Sequence, residues 1–371
     1  MPHFRLQEIA RQFVVATGAA PAAVVAVAWR GGLGFQTASG AASVAGNFVA
    51  DPSSYFDLAS VTKPFLATTV ARLIRAGRLA WHTPLGDLLS ETRGTHAGAQ
   101  SVERLLSHRA GLEAHRTLFA PLLKQAPFDR SLAIQEAARA RRAECSDPAP
   151  PEGYAPLYSD LGYALVGLGL EHLERLPLDG IVDREICQPL ALDVGSARLL
   201  RTLHADFADR CAATETVAFR GGSVHGAVHD ENAWALSGHA LSGHAGLFGT
   251  AESVARFGAA LLDAFHGRSE AWLTWSCLLA LVRERPGGTL RAGFDGKSQT
   301  GSSAGALLGP HSFGHLGFTG TSLWCDPDAD RALVLLSNRV CPTRTNTRIR
   351  VARPAVHDAL FAAVTPGLPE L

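Results

Sequence analysis

The chain has 371 residues, 47% of them apolar and 18% charged, which is enough for one large domain or two moderate ones around a sizeable core. Basic and acidic side chains balance at 34 each, so neither nucleic acid nor an anionic membrane surface is an expected partner. The six cysteines are scattered and form no Cys-x-x-Cys, which argues against a zinc knuckle or a dithiol redox site and suits a reducing compartment.

Residues 3–17 read as an amphipathic helix, with Arg5, Glu8 and Arg11 at helical spacing to Phe4, Ile9 and Phe13. The stretch from Phe13 to Trp29 is apolar, but Gly18 and Pro21 interrupt it, so helix, turn and strand describe it better than a signal peptide. No uninterrupted strongly apolar run reaches the ~18 residues of a membrane span, and a cytoplasmic location is expected. Ala22 to Arg30 reads as a strand, Gly31-Gly32 as a turn and Leu33 to Ala41 as a second strand, together a hairpin. A loop through Gly46, Asp51 and Pro52 leads to the apolar helix that carries Ser60 and ends near Gly77.

From about 80 to 200 the pattern is mostly helical. Ser101 is placed to cap a helix containing Leu105 and Leu106, with Gly111 as its stop. Leu118 to Ala143 is rich in helix formers, the proline cluster from Asp147 to Gly153 is a loop, and Leu161 to Leu173 is an apolar helix. Residues 211–250 are rich in glycine and histidine and read as irregular, and Glu252 to Phe265 reads as a helix. Three strands follow, Phe313 to Phe318, Thr321 to Cys325 and Ala332 to Ser337, with Gly320 and Asp326-Pro327-Asp328 supplying turns. Ile349 to Val364 closes the chain as a helix. Strands at both ends and helices between them predict an α/β (α+β) fold. An antiparallel sheet is built from both chain ends and flanked by helices, with a mostly helical subdomain inserted. The expected division is 1–78 with 205–371 for the sheet part and 79–204 for the helical part.

Ser60-Val61-Thr62-Lys63 is the stretch with chemistry in it. A lysine three residues after a serine shares its helix face one turn away, which sets an amine beside a hydroxyl. A serine hydroxyl needs a base to become a good nucleophile, and a lysine of depressed pKa can serve. The chain has three lysines against 31 arginines, so a lysine at 63 stands out: arginine cannot give up its proton near neutral pH. A surface lysine on an ordinary amphipathic helix is the competing explanation.

Three segments occur in order: Ser60-Val61-Thr62-Lys63, Tyr158-Ser159-Asp160 and His315-Leu316-Gly317. This set resembles the serine β-lactamase and penicillin-binding superfamily, in particular its class C-like branch, with its Ser-x-x-Lys, Tyr-x-Asn and Lys-Thr-Gly or His-x-Gly motifs. Leu105 to Leu112, Leu161-Gly162-Tyr163 and Gly243 to Phe248 are similar to further segments of that family, so the resemblance covers most of the chain. It implies a serine hydrolase acting through an acyl-enzyme on an ester, amide or β-lactam carbonyl, as an esterase or D-alanyl-D-alanine carboxypeptidase does. It implies Ser60 as nucleophile and Lys63 as the group that takes its proton or holds Tyr158 as phenolate. Tyr158 then relays the proton and activates water. The backbone N–H groups of Ser60 and Phe318 form the oxyanion hole, and Asp160, His315 and Gly317 face the substrate. A small-molecule or peptide substrate is implied, and no cofactor. The alternatives are a β-lactamase proper, or a non-catalytic ligand-binding or scaffolding member of the family.

Two departures from the pattern bear on specificity. Asp160 stands where asparagine is common, and Leu316 where a threonine hydroxyl can hold a carboxylate. With a histidine in place of lysine as well, neutral short-chain esters are expected to outrun cephalosporins and D-alanyl-D-alanine peptides, unless Thr319 or Thr321 supplies the hydroxyl. Activity on carboxylate substrates is expected to rise as His315 gains charge in acid. His225, His229, Asp230, His239 and His244 cluster in sequence, but without His-Glu-x-x-His they read as a hydrogen-bonded loop near the site, and no metal is expected. The sequence carries nothing on oligomeric state.

Overall fold

A strand that is apolar on both faces has to lie between two layers, and Ala22–Trp29 (β1) is buried along nearly its whole length. The computed structural model describes residues 6, 8–29, 32–40 and 49–364. In it β1 pairs antiparallel with Gly32–Gly40 (β2) on one side and with Arg331–Ser337, the last strand of the chain, on the other. Short strands lie between these ends: Phe56–Asp57 (β3), Val194–Ser196 (β4), the hairpin Thr216–Val217 (β5) with Gly222–Ser223 (β6), and Leu247–Gly249 (β7). Asp295–Gly296 (β8), Phe313–Leu316 (β9), Ser322–Asp326 (β10) and Arg331–Ser337 (β11) complete the set. The main sheet is antiparallel with order β2-β1-β11-β10-β9-β8, so both chain ends build it.

The two-residue period of a strand sorts the side chains of β1 and β11 between two cores. Val24, Ala26, Val334 and Leu336 face the larger core, which holds Ala251–Phe265 (α3) and Thr62–Arg75 (α1). Val25, Val27, Leu333 and Leu335 face the second core, with Leu6, Ile9 and Val14 from the N-terminal segment and Val356 and Leu360 from Ile349–Ala363 (α4). Thr250 caps α3 by accepting from Ser253 N at 3.3 Å. Helix α1 is buried on every face from Thr62 to Ala71, and its Phe65 stacks on Phe257 of α3 with ring centroids 3.9 Å apart.

Most predicted elements form, with shifted ends. The predicted helix over 3–17 is seen only in part, as helical residues at 6 and 8–10 followed by a π-helical turn Arg11–Val15; Phe4 and Arg5 lie outside the described residues. So do Arg30 and Ala41 at the ends of the two predicted strands, Gly31 of the predicted turn and Gly46 of the following loop. Ser101 caps Val102–Leu106 as expected, accepting from Arg104 N. That helix stops at Ser107, ahead of Gly111, because His108 turns left-handed at φ +60°. The stretch 118–143 breaks into Ala120–Leu123 and Arg130–Arg139, the second capped by Asp129. Residues 211–250 are more ordered than their composition implies: besides β5, β6 and β7 they hold a helix Glu231–Ser237 capped by Asp230. Strands β3, β7 and β4 form a small separate sheet that carries the chain into Ser60.

Candidate active site

A sharp turn, not the body of a helix, presents Ser60. Ala59 sits at φ +47°, a left-handed backbone that alanine adopts only when its surroundings hold it there. The hold comes from the buried Asp57, whose Oδ1 accepts from Ala59 N at 2.8 Å and whose Oδ2 accepts from His229 N at 2.6 Å. Residues Ala59–Val61 make one 3-10 turn, and α1 follows from Thr62. The Ser60 hydroxyl therefore stands at the N-terminal end of α1, with Lys63 one turn along on the same face.

Lys63 is fully buried. Its Nζ donates to Ser60 Oγ at 2.8 Å and to His244 O at 3.2 Å, and lies 2.7 Å from Asp160 Oδ1. Asp160 Oδ1 lacks a partner of hydrogen-bond geometry, so this third contact is an ion pair by distance and coulombic more than directional. Tyr158 lies beside Lys63, with the ammonium 4.9 Å from the Tyr158 ring centroid, and lines the same cleft as Ser60. Asp160 is the first residue of Asp160–Glu174 (α2), where the helix dipole favours a negative charge.

Charge is distributed differently from what a lysine base requires. Burial pulls the Lys63 amine down, but Asp160 and then Tyr158 outweigh it, and the amine ends above its ordinary range. Burial pushes the Asp160 carboxyl up, yet Lys63 and His244 hold it below the usual carboxylate range. Burial raises the Tyr158 phenol, and the pull of Lys63 does not cancel that rise. At rest the site is thus an ammonium–carboxylate pair beside a protonated phenol, and the expected depressed lysine is absent.

Two histidines flank Tyr158. His108 lies with its ring centroid 4.7 Å from that of Tyr158, and its Nδ1 accepts from Ser159 N at 3.0 Å. His315 lies 5.9 Å away on β9, with its Nδ1 2.8 Å from Leu316 O. Burial, followed by the charge of Lys63, pulls each imidazole down to about 3, so both are neutral across the working pH range. This removes the expected acid-side gain from a charged His315.

Gly317 lets the end of β9 close against the turn before Ser60. A Cβ there would stand 1.9 Å from Thr321 Oγ1 and 2.5 Å from Leu58 O. Thr319 and Thr321 are buried and spend their hydroxyls on Asp57 O at 2.6 Å and Leu58 O at 2.9 Å, so neither replaces the hydroxyl missing at Leu316. Among the described residues neither Ser60 N nor Phe318 N has a hydrogen-bond acceptor, and both residues line the same cleft. That cleft has a volume of about 630 Å³ and is lined by Tyr158, Asp160, Asp230 and Leu316 among others.

Part of the histidine-rich loop lines the cleft through His229 and Asp230. Asp230 pairs with His244 Nε2 at 2.9 Å, and Ser242 Oγ lies 3.0 Å from His244 Nδ1, which fixes the loop whose carbonyl holds Lys63. The histidine-rich stretch is thus a hydrogen-bonded wall. His229 meets Glu215 at 2.9 Å and His225 meets Cys211 O at 2.7 Å. Among the described residues no three His, Cys, Asp or Glu side chains are grouped to hold a metal ion. Arg339, Arg344, Arg350 and Arg353 also line the cleft, so most of its positive charge comes from residues other than His315, and the expected preference for neutral esters has less support than Leu316 and His315 alone imply. Arg344 is paired with Glu215 and Glu231, and Arg353 donates to Gly317 O and Thr321 O. Arg350 is exposed, and its guanidinium makes no ion pair or hydrogen bond among the described residues. Nothing in the spacing of these arginines marked them, because α4 reaches the cleft only through the closure of the sheet.

The Beta-lactamase family profile matches residues 7–356. The chain belongs to the Beta-lactamase family. A D-alanyl-D-alanine carboxypeptidase-like protein of Salmonella agona (strain SL483) is 30% identical over 226 residues, 57% of this chain and 50% of that protein. The chain spans about half the length of the curated relatives it matches. Solved structures with the same fold include a penicillin-binding protein homologue from Caulobacter crescentus, with TM-score 0.71 and 21% identity over 97% of both chains. Another is EstCE1, a hydrolase with promiscuous acyltransferase activity, with TM-score 0.70 and 19% identity over 95% of this chain and 98% of its own. Simvastatin synthase from Aspergillus terreus aligns with TM-score 0.69 and 16% identity over 98% of this chain and 99% of its own. No described helix is long and apolar enough to cross a membrane.

Proposed function

We propose that this Beta-lactamase family member is a serine hydrolase that works through an acyl-enzyme on an ester, amide or β-lactam carbonyl. One observation carries the reading: Ser60 Oγ is bonded to Lys63 Nζ at 2.8 Å in an open cleft, beside Tyr158 and two unengaged backbone N–H groups. Ser60 is the nucleophile. With Lys63 held as an ammonium, the proton acceptor is Tyr158 in its phenolate form, and Lys63 stabilises that phenolate. Ser60 loses its proton to Tyr158 as Oγ bonds to the carbonyl carbon. The oxyanion is received by Ser60 N–H and Phe318 N–H. Tyr158 then gives the proton to the leaving group as the bond to it breaks. Water attacks the acyl-enzyme with Tyr158 again taking a proton; the bond between Ser60 Oγ and the carbonyl carbon then breaks, Tyr158 returns the proton to Ser60 Oγ, and the acid departs. No cofactor enters the scheme. The helical part, 79–204, and the sheet part, 1–78 with 205–371, supply opposite walls of the cleft in this reading.

A second reading concerns the substrate. Arg350 offers an unpaired cation in the cleft, which favours a carboxylate-bearing acyl donor such as a D-alanyl-D-alanine peptide over a neutral ester. A fluorescent probe tests the main reading: a fluorophosphonate, which phosphonylates serine with loss of fluoride, or a penicillin, which acylates it by ring opening, should label the wild type on the peptide containing Ser60 and leave Ser60→Ala unlabelled. Equal labelling of Ser60→Ala, or turnover surviving in it, places the chemistry elsewhere and favours a binding or scaffolding role.

A further inference from the structure

The second residue after Tyr158 is an aspartate, and it lies against the amine that Tyr158 depends on. Tyr158 is faced by Lys63 and Ser60 from the start of α1, by Asp160 and Tyr163 from α2, by His108 from the loop after Val102–Leu106, and by His315 from β9. The two histidines are neutral above about pH 3, because each is held near that value. Tyr163 donates its hydroxyl to the Leu106 carbonyl and is itself pushed up by burial, so it adds no charge. Behind Asp160 stand His244 and Asp230, already joined to each other at 2.9 Å. The charges that decide the state of Tyr158 are therefore one ammonium and one carboxylate, 2.7 Å apart.

We propose that Asp160 is a positioning residue that pairs off the charge of Lys63, leaving Tyr158 protonated at neutral pH and moving the working range of the site to the alkaline side. An asparagine at 160 would leave Lys63 unopposed beside the phenol, and the phenolate would form at lower pH. The carboxylate does the reverse: it is stabilised by the N-terminus of α2 and by Lys63, and it stays ionised across the relevant range. The kinetic half of this inference rests on the acyl-transfer reading above; the electrostatic half does not.

The test reads the phenol directly. The chain has four tyrosines, so ultraviolet titration of tyrosinate, with Tyr158→Phe subtracted, isolates the transition of Tyr158. In Asp160→Asn that transition should move down by roughly 1–3 pH units, the span of a close charge effect in a buried site. The rising limb of kcat/KM against pH for a p-nitrophenyl ester should move with it, while Asp160→Glu should restore the wild-type position of both. Should Asp160→Asn not fold, Asp160→Ser removes the same charge and should give the same downward movement. An unmoved tyrosinate transition in the folded charge-free variant overturns the inference even if Ser60→Ala is inactive. A Ser60→Ala protein that remains active sinks the hydrolase reading instead, and leaves the titration result standing on its own.

Discussion

Gly317→Ala should damage catalysis far more than it damages the fold, and the structure says why. The added Cβ would stand 1.9 Å from Thr321 Oγ1 and 2.5 Å from Leu58 O, and neither neighbour is free to retreat. Thr321 Oγ1 is tied to Leu58 O at 2.9 Å, and Leu58 leads directly into the Ala59 turn that presents Ser60. Relief needs the end of β9 to back away by roughly 1 Å, a displacement that by itself can cost about 100-fold in rate when it falls on a reacting geometry. Phe318 follows Gly317 and moves with it, so one of the two proposed oxyanion donors leaves its place; losing such a donor costs about 2.7–4 kcal/mol, or roughly 100- to 1,000-fold in kcat. The cost in stability should be smaller, about 1–3 kcal/mol for overpacking together with the strained threonine hydrogen bond. Steady-state kinetics on a p-nitrophenyl ester, paired with denaturant unfolding, separates the two effects. A Gly317→Ala enzyme with near wild-type kcat, including one whose loss of kcat/KM comes from a rise in KM alone, would refute the idea that this seam positions the oxyanion donor.

Lys63→Arg should lose nearly as much activity as Lys63→Ala, about 100-fold or more, because a fully buried site shaped for one compact ammonium cannot host a planar guanidinium without displacing the groups packed around it; stopped-flow acylation rates close to wild type in the arginine variant would show that only the charge matters. Arg350→Met should lower kcat/KM on a D-alanyl-D-alanine peptide by roughly 10-fold or more, the value of one charge-assisted contact, and leave a neutral ester within about 2-fold; equal losses on both substrates would remove Arg350 from carboxylate recognition. Burial pushes the Glu215 carboxyl up, but His229 and Arg344 outweigh it and bring it to about 2 against an ordinary 4.5, so its stabilisation is present above pH 4.5 and lost as pH falls toward 2. Thermal melts of Glu215→Gln should accordingly be less stable than wild type at pH 6 and converge with it near pH 2–3; parallel curves over that window would contradict the assignment.

That Ser60, Lys63 and Tyr158 would meet was legible in the sequence because it depends on local spacing and chain order. Ser60 and Lys63 are one helical turn apart whatever the rest of the fold does, and lysine is so rare here that its presence at 63 was informative. The sheet of both chain ends was legible for a similar reason: β1 and β11 are apolar on both faces, so each needs cover from two sides. Charge states and long-range contacts were not legible. Whether Lys63 is an ammonium depends on Asp160, 97 residues away in sequence and 2.7 Å away in space, and on burial that no local window reports. His315 reads as a cation that acid could switch on, but its surroundings hold it near 3 because Lys63 stands close by in a dry site. The arginines at 339, 344, 350 and 353 belong to a loop and helix that follow the last strand, and they enter the cleft only once α4 packs back across the sheet. A sequence lists which groups are available and which neighbours one turn apart must meet; desolvation and the sum of charges around a side chain are properties of the closed fold, and it was those that decided the electrostatics of this site.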